Sequence, residues 1–488
     1  MGPELSGITI ENATVLGLHR ELRYGDIRIA GDVIVGVGHG LAESGDRVID
    51  ATGMVAMPGF INAHTHSGQH LDRGVTPNLP LDLWLAWTVM GGLQLTADDM
   101  YTAAVAGAIE MVTTGCTAVL DHVYLQSDHF DEQVEALTAA YHDVGIRAVI
   151  APMLGDLDLM DPPPTYLHDP GAVAERPPPV EDPLRLEELM TGFLAGATPG
   201  LVTRMLGPSA PQRCSDEYLK INVELAEKFG VGIHTHALET KAQRVAARHL
   251  YGGSLIDFLD RIGVLGPATS LAHAIWVTEN DIDTIRRTNT TVVHNPISNL
   301  RTGAGVMPLR AFLDAGVRVG LGADGAASND NQNMFEALKY GTLIHTLHGL
   351  HRTWPTPGEV WTAIILGGAA AMGTPVGSLD VGSPADLVLV RMDRHVAPDG
   401  ERLLASLAYS ELGASVATTI VGGNLVVDEG RPVHVDPHLQ TSRATALQER
   451  IHAHHEKRAA IYSQWEAGLT EAEALIADID IGPERRLI

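Results

Sequence analysis

Cysteine is almost missing. Cys116 and Cys214 are the two thiols in 488 residues, which excludes a disulfide framework and suits a reducing compartment, so a cytoplasmic location is expected. Positive charge is short as well: 33 Lys and Arg stand against 60 Asp and Glu, a net charge of −27. Such a field repels phosphate backbones and anionic lipid, so nucleic acid and membrane are poor partners. No apolar stretch reaches the about 18 residues that a membrane span needs. The start carries no basic segment followed by an apolar one, so no secretory signal is expected. Met1 to Ser6 match a myristoylation pattern in form only, since Pro3 is odd in it and no basic patch follows.

What the chain does hold begins at residues 57–66, MPGFINAHTH, where an apolar run from Met57 to Ala63 ends in His64 and His66. Side chains alternate along a strand, so imidazoles at i and i+2 project from one face, about 7 Å apart along the backbone, and can share an ion. With 23 His in 488 residues, about one His-x-His arises by chance. His452 and His454, in the charged and helical stretch IHAHHEK, fit that accident, because i and i+2 do not share a helix face. His64 and His66 instead close an apolar strand and open a polar loop, where parallel barrels keep their chemistry.

Residues 7–56 read as short strands broken by turns, and the same texture returns in GSPADLVLVRMD and ATTIVGGNLVVDEGRPV. Between these ends, apolar strand candidates near 57–63, 116–122, 146–153, 201–207, 230–236, 268–273, 290–294 and 316–323 alternate with helical stretches. Eight strands separated by helices over about 300 residues fit a (β/α)8 barrel better than an open doubly wound sheet. The expected organisation is a small composite β-sandwich from 1–56 and 378–440, a TIM-like (β/α)8 catalytic barrel at 57–377, and a helical extension with its tail at 441–488. Thr96 with Asp99, and Ser215 before Asp216, mark helix starts; Gly115 and Gly230 mark helix ends. The proline-rich stretch 156–184 reads as a solvated loop, with a lid over the barrel mouth as the functional alternative. The helical stretch from 441 to 475 can pack on the outside or on a second subunit.

The later strand ends supply further polar groups, in GIHTHALET, SLAHAIW, VVHNPISN and VGLGADGAASND. Their convergence on one face is much harder to obtain by chance than a single His-x-His. Zinc or ferrous iron accepts imidazole and carboxylate, and a catalytic site keeps a position open for water. His64, His66, His236 and Asp324 are the candidate ligands. Water on such an ion falls in pKa from about 15.7 toward about 7. Glu239, three residues after His236, is placed to exchange a proton with a substrate, and His273 to hold or polarise the attacking water. Plainer readings stand beside these. His234 reads as a hydrogen-bonded interior histidine, His294 is divided between a supporting and a structural role, and His122 is either structural or part of a pocket. His345, His348 and His351 read as surface residues of a helix.

Together HTHALET, AHAIWV, HNPISN, LGADGAASND and GSPADLVLV resemble the amidohydrolase superfamily over essentially the whole chain. Within it they are similar to the group of methylthioadenosine/S-adenosylhomocysteine deaminases and s-triazine hydrolases, the latter including chlorohydrolases. The resemblance implies a distorted (β/α)8 barrel with a composite β-sandwich, and one divalent metal, zinc or ferrous iron, on His64, His66, His236 and Asp324. It also implies proton handling by Glu239 and His273. Lys220 and Lys228 are the only lysines between 150 and 230, and both fall after the fourth strand. The bridging carbamylated lysine of binuclear relatives such as dihydroorotases and ureases is therefore not expected, and one metal is.

The expected activity is that of an aminohydrolase, a hydrolase of carbon–nitrogen bonds other than peptide bonds. Metal-bound hydroxide attacks a ring carbon bearing an amino group, Asp324 takes the water proton, Glu239 protonates the adjacent ring nitrogen, and ammonia leaves. An alkylamine or chloride would leave by the same route. An amide or lactam hydrolase and a catalytically silent binding protein of the same fold are the rivals. A homo-oligomer, a dimer first, is expected. The substrate is expected to be a compact amino-heterocycle and not a nucleoside. In the nucleoside deaminases that the chain resembles, an acidic residue shortly after the tryptophan matching Trp84 grips the ribose, whereas Val89 to Leu95 here reads VMGGLQL. Ser209 stands where they carry histidine, and Ala151, Pro152 and Met153 where they place arginine. Trp84 is then a stacking group, and Gln69, His122 and Ser209 are hydrogen-bonding groups, unless a loop brings Asp72 or Asp82 to the ribose position.

Overall fold

Period-two alternation builds the periphery. In β1 (Ile8–Leu16), Ile8, Ile10, Ala13 and Val15 are buried, and the strand pairs antiparallel with β2 (Leu22–Ala30), which pairs with β3 (Val33–Gly38). Asn12, at φ 60°, breaks the ladder between Ile10 and Ala13. The first half of β1 then pairs with β4 (Arg47–Asp50) and the second half with β5 (Met54–Pro58). The computed structural model from which these elements are taken describes residues 7–157, 178–347, 349–392 and 399–485. Most of the proline-rich stretch, together with Met1 to Ser6 and His348, lies outside the described residues.

The run Met57 to Ala63, read above as one strand, is two. Met57 and Pro58 end β5 and pair with β15, and the chain turns at Gly59 before β6 (Phe60–Thr65) enters the central sheet. A Cβ at Gly59 would lie 2.1 Å from the Thr117 side chain, so no larger residue fits that turn. After β6 come β7 (Cys116–Val123), β8 (Arg147–Leu154), β9 (Val202–Arg204), β10 (Gly207–Pro208), β11 (Ile233–Ala237), β12 (Thr269–His273), β13 (Thr291–His294) and β14 (Val319–Leu321). All pair parallel, and helices such as Ala97–Thr113, Phe130–Val144 and Asp216–Phe229 separate them. This is the α/β pattern of the (β/α)8 class, with the fourth strand broken into β9 and β10. A parallel bridge between Leu206 and Ile233 joins the two arcs on one side. On the other, the Asp324 amide donates to the His64 carbonyl at 2.8 Å, so the ring is tied at the strand ends that carry the candidate ligands.

The chain then returns to the periphery as β15 (Leu387–Arg391), β16 (Val416–Val421), β17 (Asn424–Asp428) and β18 (Arg431–Pro432). β15 sits between β5 and β16, so both chain ends share one nine-stranded sheet with its own core of Ile10, Ile27, Ile34, Leu387, Leu389 and Ile420. An ion pair between a partly buried arginine and a buried carboxylate fastens that sheet to the barrel. Arg147 of β8 donates to Asp386 at 2.8 and 3.0 Å, and the Gly422 amide donates to the same carboxylate at 2.6 Å. Arg147→Met strands a buried carboxylate, so we expect a loss of about 3–5 kcal/mol, read as a lowered thermal midpoint. The double variant R147M/D386L is expected to recover part of it, because removing both charges avoids the stranded one.

The C-terminal extension is a single helix, Pro437–Ala477, and it lies against its own barrel. Arg450 pairs with Asp99 at 2.6 and 3.2 Å, Leu447 and Ile451 pack on Leu71 and Ala103, and Trp87 stacks on His455 and meets Tyr462 edge-on at 4.8 Å. Beyond it, Arg485 donates to the carbonyls of Ile275 and Val277 at 3.1 and 2.9 Å. The extension thus straps the helix Leu81–Gly91 to the loop after β12. Among the described residues no helix is long and apolar enough to cross a membrane.

Candidate metal centre

The apolar run of β6 carries His64 into the interior with no exposure, and His66 follows one residue past the strand, the two rings 4.7 Å apart. Parallel pairing of β11 with β12 sets His236 opposite Ala272 and brings His273 to the same rim. The backbone turns left-handed where these strands end, at Leu238 (φ 49°), His273 (74°), Ala274 (44°) and Asp324 (67°). Non-glycine residues held in that region cluster at functional sites. Gly322 permits a close approach of β14 to β6, since a Cβ there would lie 2.7 Å from His64 Cβ and 2.4 Å from Asn295 Oδ1.

One carboxylate oxygen collects the imidazoles. Asp324 Oδ1 is 3.2 Å from His66 Nε2 and 3.7 Å from His64 Nε2, while Oδ2 is 3.8 Å from His273 Nε2. Glu239 Oε1 lies 3.6 Å from His273 Nδ1. Donor atoms fall within 4.8 Å of one another in three overlapping sets: His64, His66 and Asp324; His64, His122 and His236; Glu239, His273 and Asp324.

Hydrogen bonding decides which nitrogens are free. His66 Nδ1 donates to the His122 carbonyl and His236 Nδ1 to the Ser209 carbonyl at 2.7 Å. A carbonyl can only accept, so each of these rings, when neutral, carries its lone pair on Nε2. His64 Nδ1 is 2.8 Å from His234 Nε2, and His234 Nδ1 is 2.7 Å from Ser270 Oγ. His64 Nε2, fully buried, has no hydrogen-bond partner. A buried, unpartnered imidazole nitrogen close to the His66 and His236 rings and a carboxylate suits a divalent cation, and carbonyl or imidazole partners on the far nitrogen are how ligating histidines are held. Burial pushes the imidazolium forms of His64 and His236 well down, favouring the neutral ring that ligates.

The two carboxyl groups are driven apart. Burial, reinforced by the charge of Asp324, pushes Glu239 well above the usual carboxylate range. Burial would raise Asp324 too, but its hydrogen bond to His66 and the charges of His66, His273 and His236 hold it below that range. The surroundings thus favour the protonated form of Glu239 and the ionised form of Asp324.

The structure therefore brings together His64, His66, His236, Asp324, Glu239 and His273. Of the remaining expected groups, His122 orients His66 through its carbonyl, and its own Nε2 is 3.1 Å from the Gly207 carbonyl. Ser209 contributes its carbonyl to His236. The Gln69 amide oxygen lies over Gly325, where a Cβ would meet it at 2.0 Å. Trp84 donates its indole N–H to the Ala327 carbonyl at 3.1 Å, pinning the helix Leu81–Gly91 to the turn after Asp324. Asp82 does reach the mouth: it lines one cleft with Thr240, which follows Glu239, and with Thr302 and Glu473. His345 is not a free surface residue, as its Nε2 is 3.3 Å from His294 Nε2; His351 is exposed.

Sequence reasoning assigned no role to Asn299, whose Oδ1 is 2.9 Å from His273 Nδ1, or to Gln332, which contacts the Asp324 peptide. The first had a signal, a side-chain amide four residues after Asn295 in the opening turn of a short helix. The second had none.

Three imidazoles and a carboxylate gathered at one rim, with a second carboxyl group beside them, are a donor set that suits a divalent metal. Over residues 55–426 the chain matches the amidohydrolase family, and it belongs to that family. It is 34% identical over 452 residues to a 5′-deoxyadenosine deaminase of Methanosarcina mazei, covering 92% of this chain and 99% of the relative. It is 35% identical over 423 residues to a 5-methylthioadenosine/S-adenosylhomocysteine deaminase of Thermococcus kodakarensis, covering 86% and 94%. Among solved structures, the atrazine chlorohydrolase of Arthrobacter aurescens complexed with zinc superposes with a TM-score of 0.81 at 27% identity, covering 90% of this chain and all of the other.

Proposed function

We propose that the protein is a metal-dependent aminohydrolase that releases ammonia from an amino-substituted nitrogen heterocycle. The observation that carries the reading is the pair of carboxyl groups, Glu239 and Asp324, flanking His273 at one rim, in surroundings that push the first up and the second down in pKa. A cation on His64, His66, His236 and Asp324 would supply Lewis acidity that makes water nucleophilic at neutral pH. Asp324, ionised, accepts the proton of the attacking water. His273, fixed through Nδ1 by Asn299, presents Nε2 toward Asp324 and orients that water. Glu239, protonated, donates to the ring nitrogen beside the attacked carbon, and the proton taken up by Asp324 passes to the amino group, which departs as ammonia. An amide or lactam hydrolase has little use for such a ring-protonating acid.

Two observations favour an adenine nucleoside altered at its 5′ position over the compact heterocycle expected from sequence. The deaminases named above match nearly the whole chain, and Asp82 places a carboxylate in a cleft that it shares with Thr240, the residue after Glu239. The likeness to the zinc-bound chlorohydrolase supports zinc and keeps aminotriazines as the second substrate class. We also propose one metal per chain, a homodimer in solution and a cytoplasmic location.

The test is an ammonia-release screen of zinc-loaded protein over 5′-deoxyadenosine, methylthioadenosine, S-adenosylhomocysteine, adenosine, aminopyrimidines and aminotriazines. At least one 5′-altered adenosine is expected to reach a kcat/KM above about 10⁴ M⁻¹s⁻¹, the lower end of ordinary enzyme efficiency. Release from aminotriazines alone would overturn the nucleoside reading, and no release from any compound would overturn the aminohydrolase reading. Elemental analysis is expected to find one divalent metal per chain; two would overturn the mononuclear centre.

A further inference from the structure

Asp324 stands in a backbone conformation that L residues avoid, at φ 67°, and a side chain well away from the reacting groups holds it there. Its carbonyl accepts from Gln332 Nε2 at 2.7 Å and lies 3.1 Å from the Thr65 hydroxyl. Its amide donates to the His64 carbonyl at 2.8 Å. Gln332 has no solvent exposure, and every hydrogen-bonding position of its amide is used. Nε2 gives its second hydrogen to the Asn331 carbonyl at 2.9 Å, while Oε1 lies 2.8 Å from Thr65 Oγ and accepts from Asn62 Nδ2 at 3.1 Å. Asn62 in turn accepts from the Ala323 amide at 2.9 Å. Asn62 and Thr65 flank His64 on β6. One buried amide therefore bonds on one side to the strand that carries the histidines and on the other to the peptide of the aspartate, from a position eight residues past that aspartate.

We propose that Gln332 is a positioning residue of the metal centre. By gripping the Asp324 carbonyl it keeps the left-handed turn that aims the carboxylate at His64 and His66 on one oxygen and at His273 on the other. Through Asn62 and Thr65 it fixes that turn against β6, adding a side-chain clamp to the single backbone bond between the Asp324 amide and the His64 carbonyl, so the distance between carboxylate and imidazoles depends on Gln332 as well as on that bond. The inference rests on the role given to Asp324 above. A polar side chain that merely filled the interior would stabilise the protein equally with and without metal; a positioning residue acts on metal affinity and on turnover.

The test compares the wild type with Gln332→Met, of similar length but without an amide, and with Thr65→Val, which removes only the hydroxyl. Zinc affinity is read by chelator competition, the thermal midpoint is read with and without zinc, and kcat and KM are read on the best substrate of the screen. Gln332→Met is expected to bind zinc about 10–100-fold more weakly, the usual effect of removing a group that orients a ligand. The rise in midpoint that zinc produces should shrink accordingly. At saturating zinc kcat should fall while KM stays within about twofold, the mark of an interaction expressed in the transition state. Thr65→Val should show the same pattern more weakly, and it carries the test if Gln332→Met does not fold. A lowered midpoint with unchanged zinc affinity and kcat would reduce Gln332 to a structural plug. Asp324→Asn, measured alongside, separates the two ideas: if it keeps both zinc and turnover, the role of Asp324 fails, whereas normal Gln332 variants beside a damaged Asp324→Asn refute the positioning role alone.

Discussion

Glu239→Gln is expected to keep its metal and to lose at least about 10²-fold in kcat, the scale of a positioned acid or base. Glutamine preserves the volume and one acceptor of the side chain, and the Glu239 backbone amide still donates to Gln243 Oε1 at 2.7 Å, so the turn before the helix Lys241–Tyr251 should stay in place. What is lost is the acidic proton. Burial, with the charge of Asp324 beside it, raises the Glu239 pKa, so its protonated form is filled below that raised value and emptied as pH rises through it. The kcat/KM of the unaltered protein should therefore decline on the alkaline side, and the variant, whose amide does not titrate, should lack that limb. Full activity of metal-bound Glu239→Gln would show that the proton reaches the ring by another route.

Asp324→Asn should be more damaging still, because one side chain serves as ligand and as proton acceptor. The amide presents a neutral oxygen in place of a carboxylate, to an ion and to a water proton alike. Metal content after purification is expected to fall, and turnover to drop by more than about 10⁴-fold, beyond what loss of a single acid or base produces. Excess zinc should restore occupancy without restoring turnover. Restoration of both by zinc would mean that Asp324 is a ligand only and that His273 or another group takes the proton.

Much of the architecture follows from pattern. Buried parallel strands read as continuous apolar runs, and the ends of those runs are where polar residues start, so His64, His236, His273 and Asp324 could be picked out from the residues that follow each run. Pattern does not record which sheet a run joins. Met57 and Pro58 are as apolar as Phe60 and Ile61, yet a glycine turn sends the first pair to the peripheral sheet and the second to the barrel. The fourth strand is likewise in two pieces, and past its break the Gly207 and Ser209 carbonyls meet the rings of His122 and His236. Least legible are the supports. His234 is the hydrogen-bonded interior histidine that its sequence suggests, but its partner His64, like the partners of Asn299 and Gln332, lies up to 270 positions away in the chain, and no local period encodes such a bond.

The strap formed by the helix Pro437–Ala477 bears on any attempt to change what the enzyme accepts. Libraries aimed at a new substrate would ordinarily vary the helix Leu81–Gly91 alone, as a local element at the mouth. Here that helix carries Trp84 inward to Ala327 and Trp87 outward to His455 and Tyr462, so the same few residues answer to two partners. Substitutions at 84 to 88 and at 455 to 462 should be strongly non-additive, because residues in contact share their free-energy changes. Variation confined to one side would mostly sample broken combinations, and productive changes in selectivity should be found by diversifying both sides of that contact together.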